Sequence, residues 1–275
     1  VMKKILLYIF LPIVAGGMFS SCSDYLDVDK YFYDQLSIDS AFSKRKYVDG
    51  WLSNAFEPIQ YITEGEGMRR WMSDDIVKYE GRDYQNGNYS SSTNNGDSEN
   101  LLYKAYEAVR KASTFIDNVD RCGELTQVEK ADMKGQMRFI RAYAYWSLIR
   151  HFGPVPLIPE HGLDVSLSYE ELSLPRASLD DIVEFIDQDL VIAARSLPMT
   201  RTVNNMGRPT RGAALALRAR ILLWVASPLM NGNKDLFNVK DNHGRQLVPQ
   251  EYDESKWAKA AAAAKEVMDL GLYEL

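Results

Sequence analysis

Apolar residues recur every three or four positions along most of the chain after residue 38, a spacing that predicts helices. Amphipathic stripes of this kind cover 40–62, 98–120, 126–152, 179–196, 210–227 and 254–270. We find no comparable run of alternating apolar and polar residues. Three prolines exclude a helix over 153–159, where short extended pieces are expected. The pattern predicts a mainly α-helical protein with long irregular loops and little strand.

The sequence also marks where several helices begin and end. Thr126 and Glu129 have the spacing of a capping box, and Ser178 with Asp181 caps a later helix. Gly271 is placed to end the last one. The stripe of 98–120 includes five apolar or aromatic residues that we expect in the core: Leu102, Tyr106, Val109, Phe115 and Ile116.

The predicted helices fall into antiparallel pairs. The helix at 98–120 pairs with 126–152, and 179–196 pairs with 210–227, whereas 254–270 is left without a partner. Trp257, Ala261 and Ala264 give the alternation of large and small side chains that is typical of tetratricopeptide-type hairpins. We therefore expect helix pairs of that type, separated by irregular loops.

The N-terminus has the pattern of an export signal. Lys3 and Lys4 precede an apolar run of about 15 residues, which is shorter than the ~20 needed to span a bilayer. Ser20 and Ser21 then lead to Cys22, an arrangement that resembles a bacterial lipobox and implies cleavage before Cys22 and acylation of its sulfur. An ordinary secretory peptide with an incidental cysteine, or a single membrane anchor, are the alternatives.

Acidic residues follow Cys22, and they resemble the signal that sends lipoproteins to the cell surface in one group of Gram-negative bacteria; a solvated tether is the other interpretation. On this basis we expect a signal peptide at 1–21, a lipidated acidic tether at 22–38 and a helical domain at 39–275.

Composition and spacing argue against several functions. The net charge of −6 disfavours nucleic-acid binding, which needs a basic stripe. None of the three histidines lies at metal-ligand spacing, and no nucleophile motif of the G-x-S-x-G type occurs. The segment Asn231–Asp235 has alternating oxygen donors, but Asn242 stands where a calcium loop needs glutamate. We expect no catalysis, metal or cofactor.

Three longer segments carry a family resemblance. "RFIRAYAYWSLIRHFGPVPLI" at 138–158 resembles the core signature of the SusD/RagB family of surface nutrient-binding lipoproteins. "GRPTRGAALALRARILLWVASPL" at 207–229, "SKWAKAAAAAKEVMDLGLYEL" at 255–275 and the opening "CSDYLDVD" fit the same family. Because members are considerably longer, we expect this chain to be their N-terminal part.

The resemblance implies a scaffold of tetratricopeptide-like helix pairs without catalysis. It also implies a lipid-anchored, cell-surface protein of the outer membrane. Members cap a TonB-dependent transporter of the SusC-like type and help deliver oligosaccharides, in some cases peptides, into its barrel. The helical scaffold faces the transporter, and irregular loops and the C-terminal part hold the ligand. A helical-repeat scaffold that only docks other proteins is the rival interpretation.

The long polar loop at 71–100 is where the family's sugar-contacting loop lies by chain position. A pyranose needs a flat aromatic platform for its apolar face, and amides or carboxylates for its hydroxyls. The loop offers both kinds: Trp71, Asp74, Asp75, Tyr79, Asp83, Tyr84, Asn86, Asn88 and Tyr89. For Asp74 and Asp75, a solvated turn or helix cap is an equal alternative. The aromatic residues of 138–158 lie at helical spacing, so we expect them in the core: Phe139, Tyr143, Tyr145 and Trp146.

Overall fold

Six helices of ten or more residues form the framework of the part of the chain that the structure describes. The computed structural model describes residues 37–60, 62, 97–163 and 167–274. The main helices are α1 (Arg45–Asn54), α2 (Asp97–Asn118), α3 (Gln127–Phe152), α4 (Leu179–Ser196), α5 (Arg211–Ala226) and α6 (Ser255–Met268). Shorter pieces are the single-turn helices Ile38–Ala41 and Tyr169–Leu172 and the 3-10 turns Val119–Arg121, Val203–Asn205 and Lys234–Leu236.

Extended structure is sparse in the described ranges, where it takes the form of two isolated antiparallel bridges. One joins Pro156 to Arg176 and the other joins Lys240 to Gln246. The expected mainly helical fold is confirmed. None of the described helices is long and apolar enough to cross a membrane.

Local signals placed the helix ends correctly. The Thr126 hydroxyl accepts from the backbone N–H of Glu129, and the Glu129 carboxylate accepts from the N–H of Thr126, so the predicted capping box is present. Ser178 and Asp181 form a second box at the start of α4. Gly271 follows α6 with a φ of 62°, a left-handed conformation that glycine adopts without strain.

The stripe at 40–62 is not one continuous helix. Helix α1 ends at Asn54, a turn covers 55–56, and helical structure resumes at 57–60. Pro58 lies in the first turn of the resumed helix. A backbone N–H at this position would have no acceptor within the helix, so proline loses no hydrogen bond there. The break therefore falls where proline is tolerated.

Each long helix from α2 to α6 packs against the next one along the chain, in the order α2–α3–α4–α5–α6. Both predicted pairs are confirmed. Helix α6, which the sequence left unpaired, packs on α5. Its buried residues are Ala260 and Ala263, small side chains that allow close approach of two helix backbones.

The face of α6 that carries Trp257 points away from α5. Trp257 is 39% exposed, and Ala261 and Ala264 are also exposed, so this large–small pattern does not form the contact with α5. The contacting face is offset by one residue along the helix. An alanine-rich helix offers several similar faces, and the sequence pattern alone did not choose between them.

The core lies along the successive helix interfaces within residues 41–275, one of two compact units of the chain. The other unit is Val1–Ser40, of which 37–40 are described. Trp146 and Trp224 meet edge to face with ring centroids 5.1 Å apart. Tyr145 and Trp146 are buried as predicted, and Phe139 and Tyr143 are partly buried against the same core. Cys122 is a buried free thiol.

Candidate functional site

The residues predicted from the sequence to bind ligand all lie outside the described residues, between 71 and 89. Cys22 lies outside them as well. These assignments remain predictions. The described chain resumes at Asp97, at the start of α2.

A groove of about 510 Å³ lies along one side of α2. The described residues that line it are Leu102, Tyr103, Tyr106, Glu107 and Arg110. Tyr103 is 67% exposed and Leu102 is 39% exposed, so Leu102 is a groove residue rather than the core residue we expected. The groove thus offers a flat exposed ring beside charged groups on a single rigid helix.

The ring of Tyr106 is held in a fixed position in this groove. Its hydroxyl donates to the carbonyl oxygen of Pro156 at 2.7 Å, and its ring meets Tyr145 edge to face at 6.4 Å. Burial raises the pKa of the Tyr106 phenol, so the group stays protonated and remains a donor. The polar end of Tyr106 is committed to the scaffold, whereas Tyr103 is exposed and has no hydrogen-bond partner among the described residues.

Charged side chains flank the two tyrosines. Burial alone would raise the pKa of Glu107, but ion pairs with Lys111 and Lys104, at 2.7 and 3.1 Å, outweigh it and lower the pKa. Glu107 is therefore a paired carboxylate. Arg110 has no hydrogen-bond or ion-pair partner in the described part of the chain, so its guanidinium donors are available to a ligand in the groove.

A buried ion cluster beneath the groove fixes the loop that follows α3. Arg141 is 1% exposed and grips Asp189 of α4 with two hydrogen bonds, at 2.7 and 2.9 Å. Arg138 donates to the same carboxylate at 2.6 Å and to Glu160 at 3.0 Å. Burial lowers the pKa of Arg138, but the Asp189 charge and hydrogen bond outweigh burial and raise it. The Arg138 guanidinium therefore keeps its charge beside Asp189.

The same cluster reaches the loop at 153–162. Arg141 donates to the backbone oxygen of Glu160 at 3.0 Å, and the hydroxyl of Tyr145 accepts from the N–H of Ile158 at 2.9 Å. Pro156 supplies the oxygen that holds Tyr106. The signature segment 138–158 thus builds a rigid support behind the groove and does not itself line it.

The Asn231–Asp235 segment has a structural role in the described structure. Asn231 is buried, its amide donates to the carbonyl of Asp253 at 2.8 Å, and its oxygen accepts from the N–H of Asp253 at 2.9 Å. Its oxygen is therefore committed within the protein. Within the described ranges, no group of three or more His, Cys, Asp or Glu residues could hold a metal ion.

Comparison with known proteins adds the identity of this scaffold. A family model described as SusD-like, "Starch-binding associating with outer membrane", matches residues 24–223. The chain belongs to the SusD-like family. The resemblance seen in the sequence is therefore confirmed, and the family is one described as binding starch at the outer membrane.

Individual relatives agree with the family assignment. A SusD-like protein of Formosa agariphila is 26% identical over 161 residues, which cover 52% of this chain and 30% of the relative. The solved structure of BT4246 is also 26% identical, with a TM-score of 0.64 over 83% of this chain and 40% of that one. A laminarin-binding SusD-like protein shares the fold at 16% identity, with a TM-score of 0.57 over 82% of this chain and 44% of that one. This chain thus spans less than half the length of each.

Sequence reasoning missed the α2 groove and the ion cluster. It placed Tyr106 in a core stripe and took no notice of Tyr103, although an aromatic residue one position outside an apolar stripe is a detectable signal. Arg138 and Arg141 were noted for their family resemblance. Their partner Asp189 lies 48 residues beyond Arg141, and nothing local links them.

Proposed function

We propose that this protein is a cell-surface lipoprotein that binds oligosaccharides and passes them to a TonB-dependent outer-membrane transporter of the SusC-like type. The observation that carries the glycan-binding part is the α2 groove, which holds exposed Tyr103 and Arg110, an arginine with no partner among the described residues. An aromatic ring stacks on the apolar face of a sugar, and guanidinium groups donate to its hydroxyls. The starch-binding description of the family and the laminarin-binding relative favour a glucan.

A direct test compares Tyr103→Ala with Tyr252→Ala in titration calorimetry with malto- and laminari-oligosaccharides. Tyr252 is a matched control because it is 63% exposed and lies far along the chain, just before α6. Loss of a stacked ring and one hydrogen bond corresponds to ~1–3 kcal/mol, or roughly tenfold or more in affinity. We expect this loss for Tyr103→Ala and no change for Tyr252→Ala.

The predicted loop is tested in the same assay with Tyr79→Ala and Tyr84→Ala. If these rings are also platforms, affinity falls without a change in the melting temperature. Unchanged affinity in Tyr103→Ala and in both loop variants would move the glycan site elsewhere in the protein. Binding of peptides but not glycans would favour a peptide-binding member of the family, and binding of neither would favour the protein-docking scaffold.

Anchoring rests on Cys22 in this proposal, because long acyl chains each add ~0.8 kcal/mol per buried methylene. Cys22→Ala should release the protein from the membrane fraction, whereas replacing Asp24 and Asp27 by alanine should leave it acylated but less accessible to external protease. Unchanged detergent partitioning of Cys22→Ala would overturn the anchoring proposal. Copurification of a coexpressed TonB-dependent transporter tests the delivery step.

A further inference from the structure

A second, chemically different pocket is formed by residues that come later in the chain than those of the α2 groove. It is formed where a short hairpin at 239–247 meets the segment at 173–177. Leu247 donates its N–H to Val239 at 3.0 Å, and Asp241 donates its N–H to Arg245 at 3.0 Å, which closes the hairpin. Gly244 completes the turn with a φ of 80°.

Asp241 organises this turn with its carboxylate. One oxygen accepts from the N–H groups of His243 and Arg245 at 2.9 and 2.8 Å, and the other accepts from the Arg245 guanidinium at 3.1 Å. These bonds, first of all the one from the Arg245 N–H, lower the pKa of Asp241. The Asp241 charge is therefore neutralised inside the hairpin by Arg245.

Two arginines fasten the hairpin to the neighbouring segment. Arg176 donates to the carbonyl of Lys240 at 2.6 Å, and Arg245 donates to the carbonyl of Arg176 at 2.9 Å. Arg176 also forms a backbone bridge with Pro156. Both walls of the pocket are thus held in place by reciprocal bonds.

Between the walls lies a pocket of about 310 Å³, at the lower end of the roughly 300–1,000 Å³ of ligand pockets. Its described lining is Ser173, Leu174, Pro175, Arg176, Asp241, Asn242 and His243. Leu174 and Pro175 provide an apolar wall. The hydroxyl of Ser173, the amide of Asn242 and the imidazole of His243 have no partner in the described part of the chain, and Arg176 uses one of its five N–H donors.

The charge of the pocket selects the ligand class. Arg245 is paired with Asp241, whereas Arg176 has no carboxylate partner among the described residues. The pocket therefore carries one uncompensated positive charge, presented by a planar guanidinium that can grip a carboxylate with two parallel hydrogen bonds. The neighbouring hydroxyl, amide and imidazole suit the hydroxyls of a sugar ring, and the apolar wall suits its C–H face.

We propose that this pocket is a second saccharide site that binds an acidic sugar, a uronate unit whose carboxylate pairs with Arg176. The site is separate from the α2 groove and goes beyond the neutral-glycan binding proposed there. A peptide α-carboxylate shares the anionic group but not the ring hydroxyls that Asn242 and His243 are placed to meet.

The test titrates the full chain with trigalacturonate, maltotriose and a neutral-side-chain tripeptide with a free C-terminus. Arg176→Gln removes the charge and its matched control is Arg195→Gln, an exposed arginine on α4 outside the pocket. Because Arg176→Gln also loses the bond to Lys240, the double variant Asn242→Ala with His243→Ala provides an independent test at two exposed positions.

In the Tyr103→Ala variant, which disables the α2 groove, we expect trigalacturonate to bind more tightly than maltotriose or the tripeptide, and its affinity to fall as salt is raised. Arg176→Gln should weaken it at least tenfold and the double variant severalfold, whereas Arg195→Gln should leave it unchanged. Absence of trigalacturonate binding, equal binding of maltotriose or the tripeptide, or unchanged affinity in both pocket variants would overturn the proposal. Tyr103→Ala should leave trigalacturonate binding intact, so failure of the α2 groove and failure of this pocket are distinguishable.

Discussion

Replacement of Asp189 by asparagine tests the buried ion cluster most sharply. The change keeps the size and shape of the side chain but removes the charge that compensates Arg141 and Arg138. Arg141 is 1% exposed, so its guanidinium cannot turn to water for replacement partners. Its remaining described contacts are neutral: the Ser113 hydroxyl at 2.9 Å and the backbone oxygen of Glu160 at 3.0 Å.

The expected loss is large because one partner of a buried pair is removed. Breaking such a pair costs about 3–5 kcal/mol in the free energy of unfolding, since a buried charge is left without its counter-charge. At about 2–4 °C per kcal/mol for a chain of this size, the melting temperature should fall by roughly 6–20 °C. Urea unfolding followed by circular dichroism measures the free energy, and a thermal melt measures the shift.

Two further variants isolate the cause. Asp180→Asn removes a surface partner of Lys256, whose ion pair joins atoms 2.7 Å apart and leaves the carboxylate 53% exposed, so its loss should stay below about 1 kcal/mol. Combining Arg141→Leu with Asp189→Leu removes both buried charges, and stability should recover in part relative to Asp189→Asn. A cost for Asp189→Asn no larger than that for Asp180→Asn would refute the reasoning.

Three other positions give predictions of different kinds. Gly232→Ala should lower the free energy of unfolding by about 1–3 kcal/mol more than Gly162→Ala. Both glycines have a φ of 77°, but only at Gly232 would the new methyl lie 2.6 Å from a backbone nitrogen, that of Tyr252. Urea unfolding compares the two variants, and equal losses would show that the structure relieves this clash. Tyr145→Phe should cost about 1 kcal/mol in the same assay, because a partly buried backbone N–H loses the hydroxyl that accepts from it at 2.9 Å. The hydrogen bonds of the α3 capping box, first of all the one from the backbone N–H of its N-cap residue, lower the pKa of Glu129 from 4.5 to about 2. The stability that ionised Glu129 adds is present above pH ~4.5 and is lost as pH falls toward 2. The difference in urea unfolding midpoint between wild type and Glu129→Gln should therefore shrink across that range. A difference that stays constant would contradict a lowered pKa for Glu129.

Helix positions and caps were predictable from the sequence because they depend on residues a few positions apart. The boxes at Thr126 and Ser178 and the glycine end at Gly271 each lie within one helical turn of the boundary they set. The amphipathic stripe over 40–62 did not reveal that helical structure is interrupted at 42–44 and at 55–56. The sequence did not show which face of α6 packs on α5, because alanines occur on several of its sides.

The site was less predictable because it depends on distant residues. The Arg141–Asp189 pair joins two helices through side chains 48 residues apart, and the pocket at Arg176 and His243 joins segments still farther apart in the sequence. Such contacts follow only from the packed arrangement of helices. The exposed position of Tyr103 likewise depends on which side of α2 faces α3, a choice that an amphipathic stripe sets only to within a residue.

The buried signature and the proposed contact residues are different sets of residues, and this division has a physical consequence. The signature segment 138–158 is largely buried, where a change of size or charge costs several kcal/mol. Tyr103 and Arg110 lie on the outer side of α2, and Asn242 and His243 lie at an exposed turn, where substitutions usually change stability by less than about 0.5 kcal/mol. The same scaffold can therefore carry different contact residues without loss of the fold. Such freedom accounts for a fold shared with BT4246 at 26% identity. In the functions proposed here, ligand choice depends on these exposed residues and not on the signature.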